Sequence, residues 1–148
     1  MNASVSRPPA TTPSFDRTDA SRYAPYALAL LRIVSGYLFL LHAGSKLFGV
    51  PHVAMFDGLD PMSLIGVAGV IELVGGALMV IGWQTRIVAF VLSGEMAAAY
   101  FIGHASQGSP LVPILNGGEA AVLFCFSYLV LATLGGGAWS VDSMRSRA

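Results

Sequence analysis

Four stretches of this chain are long and apolar enough to decide its class before any motif is considered. They are APYALALLRIVSGYLFLLHAGSKLF at 24–48, MSLIGVAGVIELVGGALMVIG at 62–82, RIVAFVLSGEMAAAYFIGH at 86–104 and GGEAAVLFCFSYLVLATLGG at 117–136. A helix needs roughly 20 apolar residues, within about 17–25, to cross the hydrocarbon core of a bilayer. Each stretch meets that length, and none alternates with the two-residue period of a membrane barrel strand. The expected fold is therefore an all-α membrane protein, a bundle of four transmembrane helices whose first partner is the lipid bilayer. Composition agrees: 11% of the residues are charged, against about 25% in an ordinary soluble domain.

The charges outside these runs set an expected orientation. Arg7, Arg17, Arg22, Arg86, Arg145 and Arg147 fall in the two tails and in the tight connection GWQTR, whereas the other connections carry Asp57 and Asp60 and no arginine. Positive charge collects on the cytoplasmic side, which places both termini in the cytoplasm and makes the chain a multi-pass membrane protein. Residues 1–23 are rich in Pro, Ser and Thr, lack the pattern of a cleaved signal, and read as a disordered tail. The membrane domain is expected over 24–142, with 143–148 as a C-terminal tail.

Polar residues inside the apolar runs are the candidates for function, because an ionisable group in mid-membrane costs on the order of 3 kcal/mol. Arg32, Ser35, His42 and Lys46 share the first span. At 3.6 residues per turn they fall within an arc of roughly 80°, a stripe that should face the bundle interior, leaving Leu28, Leu31, Leu38 and Leu41 for lipid. The other spans supply one glutamate each, Glu72, Glu95 and Glu119. Depth sorts these groups into two expected layers. Arg32 would meet Glu72 and Glu95 near the midplane. His42 and Lys46 would meet Glu119 in the outer half, with Asn116 and, more weakly, His104 joining them. Two glutamates beside one arginine imply that at least one holds a proton, so the inner layer is either an ionic clasp or a proton-handling site. The outer layer reads as a ligand or quinone headgroup site. Its structural alternative is Lys46 snorkelling to the interface and Glu119 stabilising a helix N-terminus. Gly69, Gly75, Gly76 and Gly94 beside the glutamates read as points of close helix approach.

Other chemistries are excluded or disfavoured. Formal net charge is zero, which argues against a nucleic-acid partner. Cys125 is the lone cysteine, so neither an internal disulfide nor a cysteine metal cage can form, and no metal site is assigned. A bis-histidine haem between His42 and His104 is conceivable but is the least favoured reading.

The segments LLRIVSGYLFLLHAGSKLFG, IELVGGALMVIGWQTR, AAAYFIGH and LNGGEAAVLFCFSYLVLA, in this order and spacing, resemble the DoxX family of small bacterial membrane proteins over about Leu30 to Asp142. That resemblance implies a four-helix membrane bundle, with Arg32, His42, Lys46, Glu72, Asn116 and Glu119 among its polar positions. It also implies a link to quinone-coupled redox chemistry in sulfur or oxidant metabolism. The chain has no Rossmann glycine fingerprint or cysteine cluster, so a soluble partner would have to carry the redox cofactor. The contrasting expectation is a small carrier or proton-coupled solute-binding protein, acting as a homo-oligomer, with no redox activity.

Overall fold

The computed structural model describes residues 17–146, and among these there are helices and turns but no strand. The longest helix, α1, runs Arg17–Phe48. Residues 17–23, placed in the N-terminal tail by sequence, are thus helical, while the rest of that expected tail, 1–16, lies outside the described residues. Next, α2 spans Leu64–Ile81. The Ser63 hydroxyl accepts the Gly66 N–H at 3.2 Å at its start. It stops at Gly82, whose φ of 71° is the left-handed conformation that ends helices. The chain re-enters almost at once as α3, Thr85–Ala99, which continues into a π-helical turn at Tyr100–His104 and a 3-10 turn at Ala105–Gln107. The one-turn α4, Pro113–Asn116, then leads into α5, Glu119–Leu134. Finally, α6, Val141–Arg145, begins at a Ser140 capping box and so occupies part of the expected C-terminal tail.

Among the described residues, three helices are long and apolar enough to cross a membrane: Ser21–Phe48, Leu64–Ile81 and Thr85–Gln107. The fourth expected span is the shorter apolar helix α5 of 16 residues, about 24 Å long. Packing runs in two main pairs, α1 on α2 and α3 on α5, which meet along the α2–α3 and α1–α5 seams. The core holds Phe39, Met79, Leu92, Tyr128 and Leu131, whereas Val70, Val74, Ile87, Phe90 and Phe126 point outward. Arg32 and Glu72 are buried instead. Polar groups inside and large apolar groups outside suit a hydrocarbon surround. On α1 the expected lipid-facing residues divide: Leu38 is exposed, but Leu28 and Leu31 pack against the core.

The α1–α2 contact is built on backbone. A methyl group added at Gly36 would lie 2.9 Å from the Gly76 carbonyl oxygen, and one added at Gly69 would lie 3.1 Å from Cβ of Lys46. This closeness is what lets a lysine on one helix reach a glutamate on the next. The grouping of Gly94 with these positions is corrected, since nothing approaches within 4 Å of the place its side chain would occupy.

Candidate functional site

Arg32 and Lys46 lie on the same helix and both turn inward, but they find different partners. The Arg32 guanidinium is fully buried and is satisfied by main-chain oxygens alone. Its Nε donates to Gly136 O at 3.0 Å, Nη1 to Val80 O at 2.7 Å and also to Met79 O, and Nη2 to Trp139 O at 2.9 Å. Met79 and Val80 belong to the last turn of α2, which carries the negative end of its dipole; the Met79 carbonyl also accepts the Gly82 N–H at 3.2 Å. Arg32 therefore closes α2 and ties it to the chain after α5.

This corrects the expected Arg32–Glu72–Glu95 layer. The physical reason is axial position: Arg32 lies near the end of α2 marked by Gly82, while Glu72 lies more than two turns back along that helix. The Gly82 end carries a second fastening. The Asp142 carboxylate accepts the N–H groups of Gln84 at 2.9 Å and Thr85 at 2.8 Å, at the start of α3. Burial alone would push the Asp142 carboxyl up. The Thr85 and Gln84 N–H groups, together with the Arg32 charge, outweigh that and hold it below the ordinary carboxylate range.

Glu72 is taken by Lys46 instead. The Lys46 Nζ donates to Glu72 Oε1 at 2.6 Å, with the two side chains 11% and 3% exposed. A Phe56 ring from the α1–α2 connection lies 5.8 Å from the same ammonium. Lys46 thus neither snorkels to the surface nor joins Glu119. A gap remains in this cluster: Glu72 Oε2 and both carboxylate oxygens of Glu95 are buried with no hydrogen-bond partner. Glu95 lies within electrostatic reach of Glu72 and Lys46, and two carboxyl groups against one ammonium make a neutral cluster only when one carboxyl carries a proton.

The outer expected site does not assemble. His42 is exposed and turns toward α5, its ring 6.5 Å from Phe124 and nearly perpendicular to it. The polar stripe on α1 is therefore split, with Lys46 serving α2 and His42 facing the α5 side. Glu119 is exposed in the first turn of α5. Asn116 and His104 come together in a different group at the end opposite Gly82. There the Asn116 amide donates to Ser109 O at 3.1 Å and Tyr100 Oη at 3.3 Å, its side-chain oxygen accepts the Gly118 N–H at 2.9 Å, and its main-chain oxygen lies 3.1 Å from His104 Nδ1. Tyr100 Oη in turn donates to Pro110 O at 2.8 Å. These bonds order the loop between α3 and α5.

Sequence reading missed Asp142 and Tyr128. Tyr128 is wholly buried and donates its phenol proton to the Ser35 carbonyl at 3.1 Å, beside Phe39 at 4.8 Å between ring centres. The acid after Ser140 could have been read as part of a helix start, but its reach to Gln84 and Thr85 is a tertiary contact with no local signal. Among the described residues no group of three or more His, Cys, Asp or Glu side chains is placed to hold a metal ion.

Comparison with known proteins adds a family. The DoxX family model matches residues 27–105, a stretch that contains Arg32, Lys46, Glu72 and Glu95. A Haemophilus influenzae protein named "Uncharacterized protein" is 46% identical over 127 residues, covering 82% of this chain and 92% of its own. A Bacillus subtilis protein named "Putative oxidoreductase CatD" is 33% identical over 106 residues, covering 70% and 71%. No solved structure matches the chain.

Proposed function

This chain belongs to the DoxX family, and we propose that it is the quinone-facing membrane subunit of an oxidoreductase assembly serving sulfur or oxidant metabolism, with Glu95 as its proton-transfer group. In this reading α1, α2, α3 and α5 form a four-helix transmembrane bundle in the bacterial inner membrane. The Gly82 end and both termini face the cytoplasm. The observation that carries it is the Glu95 carboxyl group, both of whose oxygens are buried without a partner beside the Lys46–Glu72 pair. The relative named an oxidoreductase supports the reaction class.

The residues present fit a quinone headgroup. Its two oxygens accept hydrogen bonds when oxidised and donate them when reduced, and Glu95 offers a carboxyl that can donate or accept. A quinone supplies two-electron chemistry in which each electron is matched by a proton, the electrons coming from a cofactor on a soluble partner. The chain's share is to hold the head away from water, to fix the Glu72 carboxyl in place through Lys46, and to pass a proton at the Glu95 carboxyl. General acid–base groups of this kind contribute about 10²–10⁴-fold to rate.

The test is purification of tagged protein from native membranes in a gentle detergent, with mass spectrometry of bound proteins and extraction of quinone, followed by Glu95→Gln in the same preparation. The expected result is a stoichiometric protein bearing a redox cofactor, retained quinone, and a variant that keeps both but loses at least about a hundredfold of quinone-linked turnover. Recovery of the chain alone, without quinone or redox partner, would overturn the reading in favour of a carrier.

A further inference from the structure

The Lys46–Glu72–Glu95 cluster lies between two unequal ends. Toward Gly82 the interior is filled by Phe39, Met79, Ala89, Leu92, Tyr128 and Leu131, each 0–1% exposed. Beyond them the Arg32 guanidinium is held by main-chain carbonyls, and the segment after α5 lies across it: a methyl added at Gly136 would meet Arg32 Cδ at 3.0 Å. From Glu72 to Gly82 this filling extends about 15 Å along α2. Toward the other end the interior loosens. Met96, Tyr100 and Ala121 are each 7% exposed, and the Lys46 side chain is 11% exposed.

We infer that the cluster exchanges protons with water at the end opposite Gly82 alone, beneath the Phe56 ring, an inference that rests on the reading of Glu95 as a proton-transfer group and names the side from which it is served. A proton passes from hydronium to a carboxylate of the cluster, leaving water, and departs by the reverse step. In the orientation proposed above, that water is extracytoplasmic.

The cover at this end is thin. Among residues 50–62, which join α1 to α2, all but Phe56 and Leu59 are exposed. The Phe56 ring lies 5.8 Å from the Lys46 ammonium, and the neighbouring Asp57 carboxylate, itself exposed, meets His52 Nε2 at 2.9 Å. A segment with so few buried apolar side chains opens locally at low free energy, whereas a filled core opens only with the whole fold. Lifting one ring uncovers the ammonium; reaching Glu72 from Gly82 means parting the helices. Charge gives the same direction independently. Asp57, Asp60 and Glu119 are exposed at the Phe56 end, and Arg22, Arg86 and Arg145 at the Gly82 end. Surface charge of one sign raises the local concentration of the opposite ion, so the carboxylates gather hydronium at the thin cover and the arginines repel it at the filled end.

The test uses the full chain with Cys125→Ser, in right-side-out and in inverted bacterial membrane vesicles, and a membrane-impermeant trimethylammonium thiosulfonate as the thiol probe. Asp57→Cys and Arg145→Cys mark the two ends, each labelled in one type of vesicle. Ala99→Cys lies one turn beyond Glu95 toward the Phe56 end and on the same helix face, whereas Ala89→Cys lies in the filled half; both replacements are small. The thiol of Ala99→Cys is expected to react in the same vesicles as that of Asp57→Cys. Phe56→Ala should speed it at least about tenfold, because modification follows the population of the open form. Ala89→Cys should stay unreactive in both preparations. Reaction of Ala99→Cys in the vesicles that label Arg145→Cys, or reaction of Ala89→Cys there, would overturn the side of access. Silence of Ala99→Cys in both, even with Phe56→Ala, would overturn the access itself, and a rate unchanged by Phe56→Ala would overturn Phe56 as the cover. No quinone or partner takes part in the labelling, so these outcomes are separate from the retained quinone and the Glu95→Gln turnover that test the redox reading.

Discussion

Two polar assemblies are buried in this protein, and they differ in completeness. At the Gly82 end, every hydrogen-bonding direction of Arg32 that the fold uses ends on a carbonyl, and Asp142 closes the start of α3. In mid-span, Lys46 satisfies one oxygen of Glu72 and leaves three carboxyl oxygens without partners. A finished network holds helices in place. An unfinished one in a low-dielectric interior is costly, and that cost is what sets the mid-span cluster apart from the Gly82 end. Both assemblies draw their cation from α1, which shows that residue type alone does not separate a fastening from a site.

The contrast is broken most severely at Lys46. Lys46→Met strands Glu72 in the interior, and breaking a buried pair in this way costs about 3–5 kcal/mol. Folded protein recovered by size exclusion should fall sharply and return in the double variant Lys46→Met, Glu72→Leu. Next comes Arg32→Lys, which keeps the charge but cannot span four carbonyls. A loss of about 2–3 kcal/mol is expected from unsatisfied buried acceptors, read as a lower thermal midpoint in detergent.

A smaller effect is expected at Asp142→Asn, about 1 kcal/mol as for other helix N-terminal caps, seen as faster hydrogen exchange at Gln84 and Thr85. The pH dependence of that exchange has a definite sign. The folded carboxyl lies below the ordinary range, so its contribution is complete above that range and is lost as pH falls through the lowered folded value. Protection at both amides should therefore outlast the titration of an ordinary carboxylate. Glu95→Gln should change stability least, by less than about 1 kcal/mol, because it removes no hydrogen bond described in the fold. If its thermal midpoint falls as far as that of Lys46→Met, the mid-span cluster is a fastening too and the comparison collapses.

Much of this was legible in the sequence because hydrocarbon imposes simple rules. The helix positions, the GWQTR turn and the inward aim of Arg32 and Lys46 all follow from length, apolarity and the cost of a bare charge. Partner choice did not follow. Depth counting put Arg32 level with Glu72, but main-chain carbonyls at a helix end are as good a partner for a guanidinium as a carboxylate, and they carry no sequence signature. The division of the α1 stripe between Lys46 and His42 was hidden for a related reason. An arc of roughly 80° is wide enough to face two neighbouring helices, and which residue faces which depends on their packing around α1. Glu95 was identified as buried, but its lack of a partner emerged only when Arg32 was seen to be engaged elsewhere.

The backbone contact between Gly36 and Gly76 has a mechanical consequence. With no side chains between them to change rotamer, α1 and α2 are riveted at a point between Arg32 and Lys46 along α1, and sliding one past the other would drive main chain into main chain. The lysine that holds Glu72 is carried on this stiff pair, whereas Glu95 is carried on α3, across a seam filled by the flexible tip of Leu92 over Gly75. Any breathing of the bundle will therefore move Glu95 relative to a Lys46–Glu72 pair that stays put. In the reading proposed above, the distance that varies is the one beside the proton-transfer group.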